Sequence, residues 1–292
     1  MTTVARGKRS TILLKVAARQ RIERLKRNPA LLFGGILVTC VVIVAIIGPI
    51  VAPYDPIEHN YSATLLRPSR EHWLGTDKFG RDILSRILYG TRIDLQIGII
   101  CVLFPFIIGV TVGCISGYYG GVVDALLMRL VDLTVAFPFF ILIIAVIAIL
   151  GPGVRNMYIA ITLVGWIAYA KLIRGEILIA KNIEYVLAAK TLGYSDARIM
   201  LRHLLPNVIT PCIVFAMTDV VLDILAASSL GFLGLGVQPP APEWGVMIAD
   251  GREFIASAWW ISTFPGLAIA IVGIGFSLVG DGLADLLRPG GR

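Results

Sequence analysis

An all-α, polytopic membrane protein of six transmembrane helices is the fold class that three observations predict. Hydrophobic residues make up 57% of the 292-residue chain and charged residues only 15%, with a mean hydropathy of +0.83. Soluble domains carry about 25% charged residues, so this is the balance of a chain whose surface faces lipid. Four stretches, 29–54, 97–123, 133–154 and 254–280, contain no Asp, Glu, Lys, Arg or His. Each reaches the roughly 20 apolar residues that a bilayer-crossing helix needs.

The first element is a basic arm. Residues 1–28 hold nine Lys/Arg against the single acid Glu23, whereas the whole chain carries a formal charge of +7, so the remainder sums to −1. Placed directly before an apolar span, such an arm is what the positive-inside rule expects of a cytoplasmic N-terminus, and it argues against nucleic acid as the partner of the charge. The arm is too long and basic, and lacks a small-residue cleavage site, for a cleaved signal peptide. Its residues Ile12, Leu13, Val16, Ile22 and Leu25, set among bases, suit an anionic membrane surface.

Span one, 29–54, ends at Pro49 and Pro53. An outer loop over 55–94 follows, with six acids and six bases; within it Asp77, Arg81, Asp82 and Arg86 are expected to form salt bridges. Spans two and three cover 97–123 and 133–154, and Gly151-Pro152-Gly153 turns the chain into span four. Arg129 and Asp132, at i and i+3, read as an ion pair or a partner contact. Span four runs from Met157 and continues as helix through Lys171, Arg174 and Glu176 at headgroup level. Pro206 opens span five, which extends from Val208 to Val237 and is broken only by Asp219 and Asp223. Span six occupies 254–280, with Trp244, Trp259 and Trp260 expected in the interfacial aromatic belt. Pro105, Pro138 and Pro265 lie inside spans and imply kinks. Gly109/Gly113 and Gly231, Gly234 and Gly236 favour close helix contacts.

The organisation is thus an arm (1–28), a first helix (29–54), an outer loop (55–94) and a five-helix core (95–292). The loop 171–207 carries six bases against three acids, and 238–253 one base against three acids, which places both chain ends inside. The cysteines Cys40, Cys101, Cys114 and Cys212 lie in apolar runs without metal-ligand spacing, and His59, His72 and His203 have none either.

Between spans four and five, residues 181–206 form a polar island with apolar residues at helical spacing. Gly193 is placed to end one short helix, Ser195 to cap a second, and Pro206 to stop it. An interfacial helix is one reading of this pattern; a surface that receives force from a soluble partner is the other. Asp219 and Asp223, four apart on one helix face, read either as a cation site or translocation-path lining, or as structural hydrogen-bond partners.

The island, EYVLAAKTLGYSDARIMLRHLLP over 184–206, resembles the cytoplasmic "EAA" coupling loop of permease subunits in bacterial ATP-binding-cassette importers. Ala188, Ala189 and Gly193 stand at its alanine and glycine positions, and Ile199, His203, Leu205 and Pro206 continue the pattern. Leu187 replaces the usual acid of the triplet, and Glu184 sits three residues earlier. Further segments resemble the C-type permease of the dipeptide/oligopeptide/nickel branch: HWLGTDKFGRDILSRILYGTR (72–92), MRLVD (128–132), LGFLGLG (230–236), QPPAPEWG (238–245), AWW, FPG, and GDGLADLLRP (280–289). Asp223 and Ala284 depart from the Glu and Arg of many relatives.

The resemblance implies a type I ABC importer permease fold with cytoplasmic coupling helices, in the bacterial inner membrane with both termini inside. It implies four partners: a homologous second permease, two ATP-binding subunits and an extracytoplasmic solute-binding protein. The ATPase-coupling residues would be Glu184, Tyr185, Ala188, Ala189, Gly193, Ser195, His203 and Pro206, and the translocation-path candidates Asp219 and Asp223. No GxxxxGK[ST] occurs in the chain, so ATP and Mg are expected on the partner subunits and no cofactor on this one. Di- or oligopeptides are the expected solutes, with nickel chelates, glutathione, opines or oligosaccharides as alternatives. An intramembrane enzyme is the remote alternative, disfavoured because no span contains His and no GxSxG elbow exists.

Overall fold

The computed structural model describes residues 28–287; the predicted basic arm therefore lies, Asn28 apart, outside the described residues, as do residues 288–292. In lipid every backbone amide must be satisfied within the segment, and the long apolar stretches accordingly are helices. They are α1 (Pro29–Val51), α2 (Ile83–Tyr119), α3 (Gly121–Val135), α4 (Phe139–Leu150), α5 (Val154–Ala180), α6 (Glu184–Thr191), α7 (Thr210–Phe232), α8 (Trp244–Gly251) and α9 (Trp260–Leu287). Helices α1, α2, α5, α7 and α9 are each long and apolar enough to cross a membrane, and α3 with α4, bent at their junction, reach that length only taken together. Asn28 Nδ2 approaches Gly282 O at 3.4 Å, so the start of α1 and the end of α9 sit together. Both ends of the described chain therefore lie at the same end of the bundle.

Helix α2 is the spine. Its 37 residues extend about 55 Å at 1.5 Å per residue, well beyond the bilayer core. It packs most extensively against α5. A Cβ on Gly109 would stand 2.2 Å from Trp166 O, and one on Gly113 2.3 Å from Ala170 O. The two helices cross backbone to backbone, as the small-residue spacing predicts.

Four expectations need correction. The outer loop does not run to residue 94: Asp82 caps α2, its Oδ2 accepting from Ser85 N and Ser85 Oγ at 2.8 Å each, and helix begins at Ile83. The charges Arg86, Arg92 and Asp94 hide this start because they interrupt the apolar run, yet Arg86 and Asp94 are buried by protein rather than lipid. The third span, expected only to kink at Pro138, is broken there. Pro138 lacks an amide donor, and the chain breaks between α3 and α4 with an 87° bend. Arg129 and Asp132 are both exposed and make no ion pair; instead Asp124, in the first turn of α3, takes Arg174 Nε and Nη2 at 2.6 Å each. Finally, Trp244 and Trp260 are not belt residues. They are 1% and 3% exposed, and their indole nitrogens donate to Ile87 O and Thr76 O at 3.4 and 3.1 Å. Trp259 alone is half-exposed.

The expected salt bridges of the outer loop are present. Arg81 Nε meets Asp77 Oδ2 at 2.6 Å, Arg86 Nε meets the same oxygen at 3.8 Å, and His72 Nδ1 lies 2.9 Å from Asp82 Oδ1. Arg81 also reaches Asp250 on α8 at 3.2 Å. The Arg81–Asp250 contact ties this loop to α8, and all of these side chains except Asp250 are buried.

Candidate functional site

The polar island projects from the end of the bundle where the two described chain ends meet. Helix α6 stops at Thr191, and Gly193 follows with φ of 76°. Tyr194 N donates to Ala189 O at 3.2 Å and Gly193 N to Lys190 O at 3.0 Å. These two bonds are the Schellman pair, and the left-handed residue they require is the reason for glycine. A second helical piece begins at Asp196. Ser195 occupies its N-cap position in extended conformation, but its side chain makes no capping bond.

Pro206 does not stop this second piece. Residues Ile199–Leu204 widen into a π-helical turn, and Leu205–Val208 continue with Pro206 in the opening turn. The wider turn absorbs the amide that proline lacks. Chain direction is thereby carried through Thr210 into α7, so the elbow joins span five through nearly continuous helix.

The elbow has two distinct faces. Val186, Ala189, Ile199 and Leu204 are buried and belong to one core cluster with Cys114, Tyr118, Ile177 and Ala180. Ala189 therefore faces the bundle rather than outward with Ala188. The exposed face presents Glu184, Tyr185, Leu187, Ala188 and Leu192, with Gly193 and Ser195 at the bend and Pro206 beyond it. Leu192 is 72% and Leu201 66% exposed. His203 is half-buried and stacks on Tyr194 with ring centroids 5.6 Å apart, while Arg198 covers the same ring at 4.8 Å. That packing occupies the histidine, and no group of three or more His, Cys, Asp or Glu among the described residues could hold a metal ion.

Three tethers that the sequence reading missed fix the elbow to α2. Tyr118 OH donates to Asp196 Oδ1 at 2.6 Å, Lys190 Nζ lies 5.0 Å from the Tyr118 ring centre, and Lys181 Nζ donates to Gly117 O at 2.8 Å. The lysine also satisfies a carbonyl at the negative end of α2. Pairings between residues 64 and 78 positions apart leave no periodic signal in a single sequence.

The two acids of α7 differ in environment. Asp219 is half-buried and accepts a 2.7 Å bond from Tyr169 OH on α5. Asp223 is 5% exposed, and its Oδ2 has no partner. The i, i+4 spacing does bring them to one face, turned toward α2 and α5. Tyr169, itself packed edge-on between Phe106 and Phe215, could have been sought only as an unspecified partner.

The family profile described as "Binding-protein-dependent transport system inner membrane component" matches residues 109–292, and "N-terminal TM domain of oligopeptide transport permease C" matches residues 18–68. The chain is 44% identical over 271 residues to the dipeptide transport system permease protein DppC of Alkalihalophilus pseudofirmus, covering 93% of this chain and 89% of that protein. DppC of Bacillus subtilis is 39% identical, covering 91% and 84%. The glutathione transport system permease protein GsiD of Pectobacterium atrosepticum is 41% identical, covering 91% and 89%. Among solved structures, an inward-facing MetNI methionine ABC transporter superposes with a TM-score of 0.57 at 16% identity, over 70% of this chain and 97% of that one. That likeness concerns fold.

Proposed function

The chain belongs to the family of inner-membrane components of binding-protein-dependent transport systems, and on that premise we propose that it is the C-type permease of an importer for di- or oligopeptides. Relatives named for dipeptide and for glutathione transport support this solute class, since glutathione is itself a short peptide. The chain is a multi-pass inner-membrane subunit, and it acts with a second permease, two ATP-binding subunits and an external solute-binding protein. The N-terminus, C-terminus and elbow face the cytoplasm.

One observation carries the reading: the elbow is rigidly held on its inner face and bare on its outer face. A flexible loop would dissipate a push from a partner, whereas this one is pinned by Val186, Ala189, Ile199 and Leu204. ATP-driven closure of the partner subunits then favours one arrangement of the bundle over another by differential binding at this face. ATP and Mg belong to those partners, and Glu184, Tyr185, Ala188, Gly193 and Ser195 form the receiving surface. Ala189 and His203 shape the elbow from beneath, and Pro206 directs it into α7.

The test is co-purification and uptake. The wild-type chain should retain its ATP-binding partners and support ATP-driven uptake of a labelled dipeptide with the binding protein present. Ala188→Trp, which adds bulk on the bare face, should abolish retention while leaving the chain in the membrane. Full retention and uptake by that variant would remove the elbow from the mechanism.

A further inference from the structure

At the end of the bundle opposite the elbow, two carboxyl groups converge on the first turn of α8. Glu243 is the N-cap, its Oε1 accepting from Gly245 N and its Oε2 from Val246 N at 2.8 Å each. Ser228 Oγ, from α7, adds a bond to Oε1 at 3.2 Å. Asp94, from α2, takes the remaining amide of that turn, Trp244 N, on Oδ2 at 3.2 Å. Glu243 and Asp94 are 0% and 1% exposed. The two carboxyls thus take consecutive amides of one helical turn, yet Asp94 Oδ1 has no partner among the described residues.

The enclosure is built around this pair. A Cβ on Gly231 would stand 2.5 Å from Glu243 Oε2, one on Gly245 2.2 Å from Ser228 O, and one on Gly90 2.4 Å from Pro242 O. Gly90, Gly231 and Gly245 are thus the absent side chains that let α2, α7 and the turn before α8 close over the acids. Tyr158 on α5 is a further titratable group near the pair, and among the described residues neither carboxyl has a Lys, Arg or His partner within salt-bridge distance. Arg92, two residues from Asp94, is exposed.

Electrostatics then leaves a deficit. A helix N-terminus supplies roughly half a positive charge, whereas two ionised carboxylates supply two negative ones. Like charges this close in a buried site do not both ionise unless a cation joins them. We propose that Asp94 and Glu243 form a site for one small cation, a shared proton or a sodium ion, which seals the outer ends of α2 and α7 to α8. Glu243 has three donors, Asp94 Oδ1 faces the bound cation, and the pair together keeps one net negative charge. Burial also pushes the Glu243 carboxyl up from its usual range, against the pull of the Gly245 and Val246 amides. For a carboxyl shifted up, the native state binds more protons than the unfolded chain, so stability falls as pH rises toward the shifted value. The seal accordingly holds best under mildly acidic conditions and loosens under alkaline ones.

The experiment uses the assembled transporter with its partner subunits, scanned for thermal unfolding of this chain from mildly acid to mildly alkaline pH, in choline and in sodium buffers. The wild type in choline should lose several degrees across the scan. Asp94→Asn keeps an acceptor for Trp244 N and supplies a fixed donor toward Glu243, and should show a flat profile in both salts. Recovery of the wild type by sodium at alkaline pH identifies sodium as an occupant; indifference to sodium identifies the proton. Parallel wild-type and Asp94→Asn profiles in both salts would overturn the site. Should the variant not assemble, infrared spectra of the wild type decide. A protonated-carboxyl carbonyl band that disappears on alkalinisation or on sodium addition supports the site, and absence of any such change overturns it.

Discussion

Tyr118 and Asp196 are 78 residues apart in sequence, and their side chains meet at 2.6 Å. The bond links the last turn of α2, the longest helix of the bundle, to the second arm of the elbow. Under the proposed coupling role, displacement of the elbow would reach α2 as well as α7, which the elbow joins through the backbone.

The first prediction concerns this tether. Tyr118→Phe removes the hydroxyl but keeps the ring against Lys190 and the buried core. A hydrogen bond to a charged acceptor contributes about 1.5–3 kcal/mol, discounted here because Asp196 is exposed. Peptide uptake should fall several-fold while co-purification of the ATP-binding partners persists. Measuring ATP hydrolysed per peptide imported checks it, since a slack joint raises that ratio and a merely unstable chain does not.

The ion pair between α3 and α5 gives a second. Arg174 grips Asp124 with two nitrogens, and Ser116 donates to the same carboxylate. Lysine offers one point donor in place of the planar fork, so Arg174→Lys is not conservative. With Arg174 30% and Asp124 18% exposed, the loss should be about 1 kcal/mol. Asp124→Ala should cost more than Arg174→Lys, because the guanidinium is left without its acceptor. Thermal unfolding of the two variants in one detergent orders them.

Legibility of this chain in sequence divides along a physical line. Features written in local chemistry were readable: the apolar spans, the chain reversal at Gly193, the small-residue crossing at Gly109 and Gly113, and the Asp77–Arg81 pair four residues apart in the outer loop. Features set by burial against distant protein were not. Arg86 and Asp94 look like loop residues because their charges interrupt an apolar run, and only the packing of α8 and the outer loop makes them helical and buried. Trp244 and Trp260 resemble belt residues for the same reason. The inward face of Ala189, beside the outward Ala188, depends on which side the bundle lies, and spacing alone leaves that open.

A third prediction follows from the α2–α5 crossing. Gly109→Val forces a branched side chain where Trp166 O would be 2.2 Å from a Cβ. The helices must separate, at an overpacking cost of about 1–3 kcal/mol or more. Gly121→Ala, by contrast, meets no atom within 4 Å and is strained only through its φ of 54°. The amount of folded protein extracted from membranes should drop sharply for the first and modestly for the second.

The fourth concerns Asp223. A buried carboxyl oxygen without a partner costs roughly 1–3 kcal/mol, and in the apolar interior between α2, α5 and α7 nothing among the described residues offsets it. Asp219, half-buried with Tyr169 as donor, bears no such penalty. If Asp223 served the resting bundle alone, leucine would serve it better. Asp223→Leu should therefore raise the unfolding temperature of the chain yet lower peptide uptake, because an acid retained at a stability cost within a span marks work done in another conformation. Tyr169→Phe should show the opposite pairing: it strands Asp219 and lowers stability, with uptake falling no further than the loss of folded chain explains. Unfolding curves and uptake per folded transporter separate the cases. A less stable Asp223→Leu with unchanged uptake per folded molecule would make Asp223 a structural residue like its neighbour four positions earlier.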